Sequence, residues 1–178
     1  MAQRFLLDPN STVFTERLRL QAVRPAQAKQ LFMPLRAERL YRFLPDVPPS
    51  SVEELRSQFE LWSGRPDRGL CYVAEALDSE IAVGMVRASY VGDGRALLWC
   101  RTFSHFVGRR YSREGVRAVT RLLQDAGATV EAHVDTRNGS AHDLFEAGGF
   151  EKRGIIKNAD FIRGEPSDDI RYIHPGTQ

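Results

Sequence analysis

The chain has 178 residues, 42% of them hydrophobic and 27% charged, with a formal net charge of +2. That length fits one domain, residues 1–178, better than two, and the composition is that of a globular protein with a sizeable core. So small a charge excess argues against nucleic acid as the partner, because dedicated nucleic-acid binders are strongly basic.

The first regular element expected is a strand over 16–23, where Leu18, Leu20 and Ala22 alternate with Arg17, Arg19 and Gln21. Pro25 suits the first turn of a helix, and Ala28, Leu31, Phe32 and Leu35 recur at helical spacing up to a break or kink at Pro34. A second helical piece over 37–44 precedes the loop Pro45-Asp46-Val47-Pro48-Pro49. Ser51 followed three residues later by Glu54 reads as a capping box opening another helix, which Leu55, Phe59 and Trp62 continue. Three strands are expected over 70–77, 81–90 and 96–103, with a hairpin turn of positive φ at Gly92-Asp93-Gly94.

The clearest helix spans 111–126. Gly115, Val116, Val119, Leu122, Leu123 and Ala126 form its apolar stripe, and Arg113, Arg117 and Arg121 form a basic stripe at i, i+4 and i+8. Gly127 closes it, and a strand follows over 129–135. A short helix over 140–147 and strands over 150–156 and 169–173 complete a mixed α+β domain around one mostly antiparallel sheet flanked by helices.

Three stretches, in the right order, resemble the GNAT acyl-CoA N-acetyltransferases, and within them the RimJ/RimL-like branch that acetylates ribosomal and other protein N-termini. Phe14-Thr15-Glu16-Arg17-Leu18-Arg19-Leu20 is similar to the branch's opening strand. Gly108-Arg109-Arg110-Tyr111-Ser112-Arg113-Glu114 is similar to its G-x-G-Y-A-x-E loop and helix start. The run from Asn138 to Gly149-Phe150 keeps the branch's asparagine-to-Gly-Phe spacing. The departures are Arg110 at the central glycine of the loop, Val107 at its first position, Ser112 at its last, and Ala141 at the serine three residues after the asparagine.

The resemblance implies acetyl-CoA as acyl donor, a primary amine (a protein N-terminus or a small amine) as acceptor, direct attack of that amine on the thioester, and a homodimer as one option. A loop entering a helix N-terminus offers unpaired N–H groups and the positive end of the helix dipole to a diphosphate. Val107, Gly108, Arg109, Arg110, Tyr111, Ser112 and Arg113 are therefore the candidate cofactor loop, with Arg109, Arg110 and Arg113 able to hold phosphate. The alternative is a solvated basic helix face. Asn138 is placed by the resemblance at the pantetheine, and a plain Asn-Gly turn is the competing reading. Ser140 reads as the cap of the short helix.

An α-amine with pKa about 8 is roughly a tenth neutral at pH 7, whereas a lysine near 10.4 is neutral in only about one molecule in a thousand, so an N-terminal amine makes the weaker demand on a base. Backbone N–H groups over 97–103 are suited to polarising the acyl carbonyl. The tyrosine that many GNAT enzymes carry in the helix after the asparagine is absent, with Leu144 and Phe145 there instead. His142 and His105 lead as catalytic candidates by position, ahead of His133, Glu131 and Cys100.

A catalytically weak GNAT-fold protein with a binding role is the alternative that the departures favour. Nothing suggests a metal: Cys71 and Cys100 each stand alone, and the four histidines lack H-E-x-x-H spacing. The apolar run Phe5-Leu6-Leu7 is too short for a signal peptide and no stretch reaches a membrane span, so a reducing, cytoplasmic setting without a membrane partner is expected.

Overall fold

The computed structural model describes residues 7, 8 and 10–176, so Phe5 and Leu6 of the N-terminal apolar run lie outside the described residues. A short strand absent from the sequence reading, β1 (Thr12–Phe14), pairs antiparallel with β2 (Leu18–Ala22). A 3-10 turn at Pro25–Gln27 leads into α1 (Ala28–Leu35), which runs through Pro34 and stops one residue later. The helical piece expected over 37–44 shrinks to a 3-10 turn at Glu38–Tyr41. The capping box before α2 (Val52–Glu60) is only half made: Ser51 Oγ accepts from Glu54 N at 3.1 Å, but the Glu54 carboxylate reaches Ser50 N at 2.8 Å and Ser50 Oγ at 2.6 Å.

Strands β3 (Gly69–Ala76), β4 (Ala82–Tyr90) and β5 (Arg95–Thr102) form the expected meander, with Gly92, Asp93 and Gly94 all at positive φ. Helix α3 (Tyr111–Asp125), β6 (Thr129–Asp135) and α4 (Gly139–Ala147) follow. The last hairpin is much longer than expected, β7 (Glu151–Ile162) and β8 (Glu165–Ile173) turning at Arg163 and Gly164. Its polar middle hides the alternation, because the ladder shifts register between Ile156 and Asp160 around Asn158 at φ 48°. Lys157 Nζ and Asn158 N both donate to the Asp168 carboxylate there.

The sheet order is β1-β2-β3-β4-β5-β6-β8-β7. Every neighbouring pair is antiparallel except β5 and β6. One face packs Leu18, Leu20, Tyr72, Val86, Leu98 and Val130 against Val116, Val119 and Leu123 of α3 and Phe145 of α4. The other packs Cys71, Val73, Met85 and Phe103 against Leu31 and Leu35 of α1 and Leu55 and Phe59 of α2. Each such side chain contributes about 1.5–3 kcal/mol by leaving water, so helices on both faces are what fix the sheet. Gly115 lets α3 settle onto β4: a methyl group there would stand 3.1 Å from Val86 Cγ2.

Candidate active site

The parallel pair β5–β6 is made only over Arg95–Leu97 against Thr129–Glu131. At this closed end the buried Glu131 carboxylate binds Arg171 of β8 at 2.6 Å and Arg95 of β5 at 3.6 Å, which ties three strands together. Past Leu97 the strands part. Phe103 N donates to Val83 O and Val91 N to Arg95 O, so odd-numbered residues of β5 bond β4. By the alternation of an antiparallel ladder, the backbone groups of Cys100 and Thr102 then face the opened side. The sheet thus carries a wedge lined on one edge by amides free to meet a carbonyl oxygen.

The candidate cofactor loop lies at the mouth of this wedge. Gly108 has φ +84°, and Arg110, the N-cap of α3, sits in the left-handed region at φ 63°, ψ 13° with no side-chain cap. That conformation is why glycine is the family's residue here, and a non-glycine carries about 1–2 kcal/mol of strain in it. The first helical bond of α3 is Glu114 N to Arg110 O, which leaves the N–H groups of Tyr111, Ser112 and Arg113 without an acceptor among the described residues. The Arg110 side chain is exposed and lines a groove with Arg113, Arg117 and Arg121, so it leaves the loop open and does not fill it. Val107 is exposed as well. Ser112 Oγ meets Thr102 Oγ1, joining the helix start to the open edge of β5. The residues fit a diphosphate: one turn offers unpaired amides and a helix N-terminus, and it carries three arginines, of which Arg110 and Arg113 line the adjoining groove.

Glu114 explains why two of the three recognised stretches belong together. Its Oε1 accepts from Thr15 Oγ1 at 2.6 Å and Arg17 N at 2.8 Å, and its Oε2 from Arg17 Nε at 2.8 Å. Arg17 also donates to Arg109 O at 3.2 Å and stacks on the Tyr111 ring. Burial opposes the Glu114 charge, but the hydrogen bonds from Thr15 and Arg17 overcome it and hold the carboxyl below the usual range. The sequence reading recognised both stretches but not this clasp, which fixes the loop's angle to the sheet.

Asn138 caps α4, its Oδ1 accepting from Ala141 N at 3.3 Å. This corrects the expectation for Ser140, which lies inside the first turn and does not cap the helix. The Asn138 amide NH2 has no acceptor among the described residues and is available to a ligand. His142 Nδ1 stands 2.8 Å from Tyr172 Oη, which in turn donates to Glu146 Oε1 at 3.0 Å. The Tyr172 oxygen therefore accepts from His142 Nδ1–H, while the Thr136 carbonyl, 3.4 Å from Nε2, can accept only from an Nε2–H. Tyr172 is fully buried, and burial followed by the bond to Glu146 raises its hydroxyl pKa. His105 is exposed on the 3-10 turn Ser104–Phe106 and makes no hydrogen bond or ion pair among the described residues. Burial pushes the Cys100 thiol up to about 12, which unsuits it to proton transfer near neutral pH.

On the α1–α2 face of the wedge the odd-numbered residues of β6 and β8 gather carboxylates. Asp135 of β6, hydrogen-bonded by Arg137 and Ser167, is lowered to about 2. Asp169 of β8, paired in register with Asp135, is raised to about 6 by burial and then by Asp160, Asp135 and Asp168. Asp160 of β7 is also raised, by burial first and then by Asp46. Asp169 is only 7% exposed, and its carboxylate has no donor among the described residues. Nothing in the sequence marked it, since its pKa depends on strands far apart in the chain. Burial lowers the pKa of His133 on the same face, against the pull of Glu131. Beside this cluster a cavity of about 430 Å³ opens under α1 and α2, lined among others by Tyr41, Asp46, Trp62, Arg87, Trp99 and Arg101.

A mixed sheet opened between two parallel strands, with an uncapped helix N-terminus at its mouth, defines the acyl-CoA N-acyltransferase class of fold. The profile of the acetyltransferase (GNAT) domain family matches residues 17–151, and the chain belongs to that family. Its enzymatic class is acyl-CoA-dependent acetyl transfer. Among solved structures, a RimL α-N-protein acetyltransferase in complex with coenzyme A superposes with a TM-score of 0.83 at 15% identity, covering 92% of this chain and 97% of that one. A ribosomal-protein-alanine acetyltransferase from Vibrio fischeri gives 0.79 at 17% identity, with 93% and 97% covered. A spermidine N-acetyltransferase from Vibrio cholerae in complex with coenzyme A and spermine gives 0.78 at 17% identity, with 91% and 98% covered. Likeness at these identities concerns the fold. No curated protein matches the chain.

Proposed function

We propose that this chain, acting as one domain across residues 1–178, transfers the acetyl group of acetyl-CoA to a primary amine by direct attack of the neutral amine. The observation that carries the reading is the helix start at Tyr111–Arg113, with its N–H groups unpaired at the mouth of a wedge whose edge exposes the backbone of Cys100 and Thr102. Structural neighbours that hold coenzyme A, one of them with the amine spermine, support it. The alternative of a non-catalytic scaffold has no comparable support, because Arg110 leaves the loop open.

The donor, when bound, supplies an activated thioester. The amides of Tyr111, Ser112 and Arg113, with Gly108 permitting close approach and Arg109, Arg110 and Arg113 adding charge, hold its diphosphate. Val107 flanks the loop, and the Asn138 amide donates to the pantetheine arm. Backbone N–H groups of the open β5 edge stabilise negative charge on the carbonyl oxygen. Asp169, on the amine side of the wedge, accepts the proton of the attacking amine. On the opposite face His142, oriented through Nδ1–H by Tyr172 and Glu146, enters the step with Nε2 also protonated, gives that proton to the departing thiolate and regains one from solvent, and His105 has no part in the step. A reducing, cytoplasmic setting is proposed on the strength of the unpaired Cys71 and Cys100, and no helix of the described residues is long and apolar enough to cross a membrane.

Thermal melting with acetyl-CoA tests the reading. A ligand present at a hundred times its Kd stabilises the native state by about 2.7 kcal/mol. In a chain of this size that raises Tm by roughly 5–10 °C. Saturable stabilisation, with acetylated amine seen by mass spectrometry, is expected. An unchanged Tm at millimolar acetyl-CoA refutes it.

A further inference from the structure

The cavity under α1 and α2 is built around two arginines, of which only Arg101 has an ion-pair partner among the described residues, the half-exposed Asp46. Arg101 of β5 is nine-tenths buried, with 10% of its side chain exposed, and its Nε has no partner. Arg87 of β4 likewise has a buried, unpartnered Nε, and among the described residues it makes no ion pair. The two guanidinium groups lie 4.6 and 4.2 Å from the centre of the Trp99 ring. Trp62 stacks on Arg87 at 5.1 Å and Tyr41 on Arg101 at 4.1 Å. Aromatic rings hold a guanidinium in plane while leaving its in-plane N–H groups free to donate.

The cavity's carboxylates do not offset this. Glu54 already accepts from Ser50 and Gln58. Asp46 is half exposed and touches Arg101 Nη2 at only 3.4 Å. A buried donor with nothing to donate to is costly unless a ligand supplies the acceptor. Burial also presses the Arg101 pKa down, as expected for a cation held away from water.

We infer that this cavity binds the acyl acceptor through an oxyanion, so that the preferred substrate is a small primary amine bearing a carboxylate or phosphate held by Arg87 and Arg101. The inference rests on the proposed acetyl transfer, whose acceptor it specifies. Arg101 flanks Cys100 and Thr102, whose backbone lines the wedge, so an acid on Arg101 brings an amine a few bonds away toward the open edge. A cationic tail is disfavoured, because Arg87 and Arg101, already seated against Trp62, Trp99 and Tyr41, repel it.

The test exploits the fact that Trp62 and Trp99 are the chain's two tryptophans, both stacked on Arg87, so intrinsic fluorescence reports directly on the cavity. Titrations at constant ionic strength compare 4-aminobutyrate and 2-aminoethyl phosphate with n-butylamine and 4-aminobutanamide. At least one acid-bearing amine is expected to bind about tenfold or more tighter than the neutral-tailed pair, the value of a charged hydrogen-bonded contact. The carboxylate and phosphate arms then identify which oxyanion it is. Arg101→Gln should abolish the preference while the melting shift with acetyl-CoA is retained.

Because Arg101 is buried, the exposed Asp46→Asn is the second variant. Releasing Arg101 from Asp46 should tighten the acid-bearing amine. Equal or tighter binding of n-butylamine, a preference that survives Arg101→Gln, or weaker acid binding in Asp46→Asn overturns the inference. Loss of the acetyl-CoA shift alone would instead refute the acetyl-transfer reading, with the fluorescence comparison still decisive for the cavity.

Discussion

Replacing Asp169 with asparagine should make the protein more stable and slower at once. The carboxyl titrates at about 6 instead of its ordinary 3.8, because it is buried and faces Asp160, Asp135 and Asp168. At about 1.36 kcal/mol per pKa unit, keeping it ionised above pH 6 costs the fold roughly 3 kcal/mol. Asparagine is uncharged and nearly the same shape, and its own buried amide takes back part of the gain, leaving about 2 kcal/mol, or a Tm rise of roughly 4–8 °C. The sign follows from linkage. A carboxyl raised in the folded state binds more protons there than in the unfolded chain, so its relative stability contribution is full below pH 3.8 and is lost as pH rises through 6. The advantage of Asp169→Asn should therefore be present at pH 7.5, shrink between pH 6 and 4, and vanish at pH 4, as followed by thermal or urea unfolding of both proteins. Acetyl transfer should fall about 10²–10⁴-fold if this carboxylate takes the amine's proton. A variant no more stable than the parent at pH 7.5 refutes the burial and repulsion argument, and undiminished turnover refutes the role as base.

Arg110→Gly removes a side chain from a left-handed position. Tm should rise by about 2–4 °C from relief of roughly 1 kcal/mol, while acetyl-CoA binding measured by calorimetry weakens if the guanidinium holds phosphate. Glu114→Gln breaks the clasp on Thr15 and Arg17, so a stability loss of about 1–3 kcal/mol in urea unfolding should come with weaker acetyl-CoA binding, and unchanged binding would show that the loop holds its angle unaided. His142→Gln should lower kcat with little change in the KM for acetyl-CoA, and Tyr172→Phe, which frees the imidazole from its partner, should reproduce part of that loss in steady-state kinetics. Between pH 4 and 2 the protein should lose stability as Asp135, held at about 2 by Arg137 and then Ser167, becomes protonated, which a pH series of melting curves detects.

The parts of this molecule legible in the sequence are those governed by local periodicity. The stripe of Gly115, Val116, Val119 and Leu123 announced α3, and the alternation of Val130, Ala132 and Val134 announced β6, because each segment buries one face against a single layer. The final hairpin was cut short because Asn158 and the register shift interrupt the alternation where Asp168 compensates from the other strand. The cofactor loop was visible as a motif, and Arg110 kept the motif's backbone geometry while changing its side chain. The acceptor side was not readable. Arg87 and Arg101 look like ordinary outward residues of two strands, and only the packing of α1 and α2 over that face turns them inward. Asp169 and Tyr172, three positions apart on β8, derive their properties from partners on β6, β7 and α4, which no local pattern encodes.

Neither sulfhydryl group of the polypeptide is readily ionised: burial, full for Cys71 and partial for Cys100, pushes each thiol up to about 12. At assay pH almost none of either is thiolate, the form that attacks disulfide reagents. A colorimetric disulfide probe added to the native enzyme should thus see coenzyme sulfhydryl alone, giving continuous kinetics with almost no protein blank, and a blank of one or two equivalents would signal that a wall of the sheet had opened.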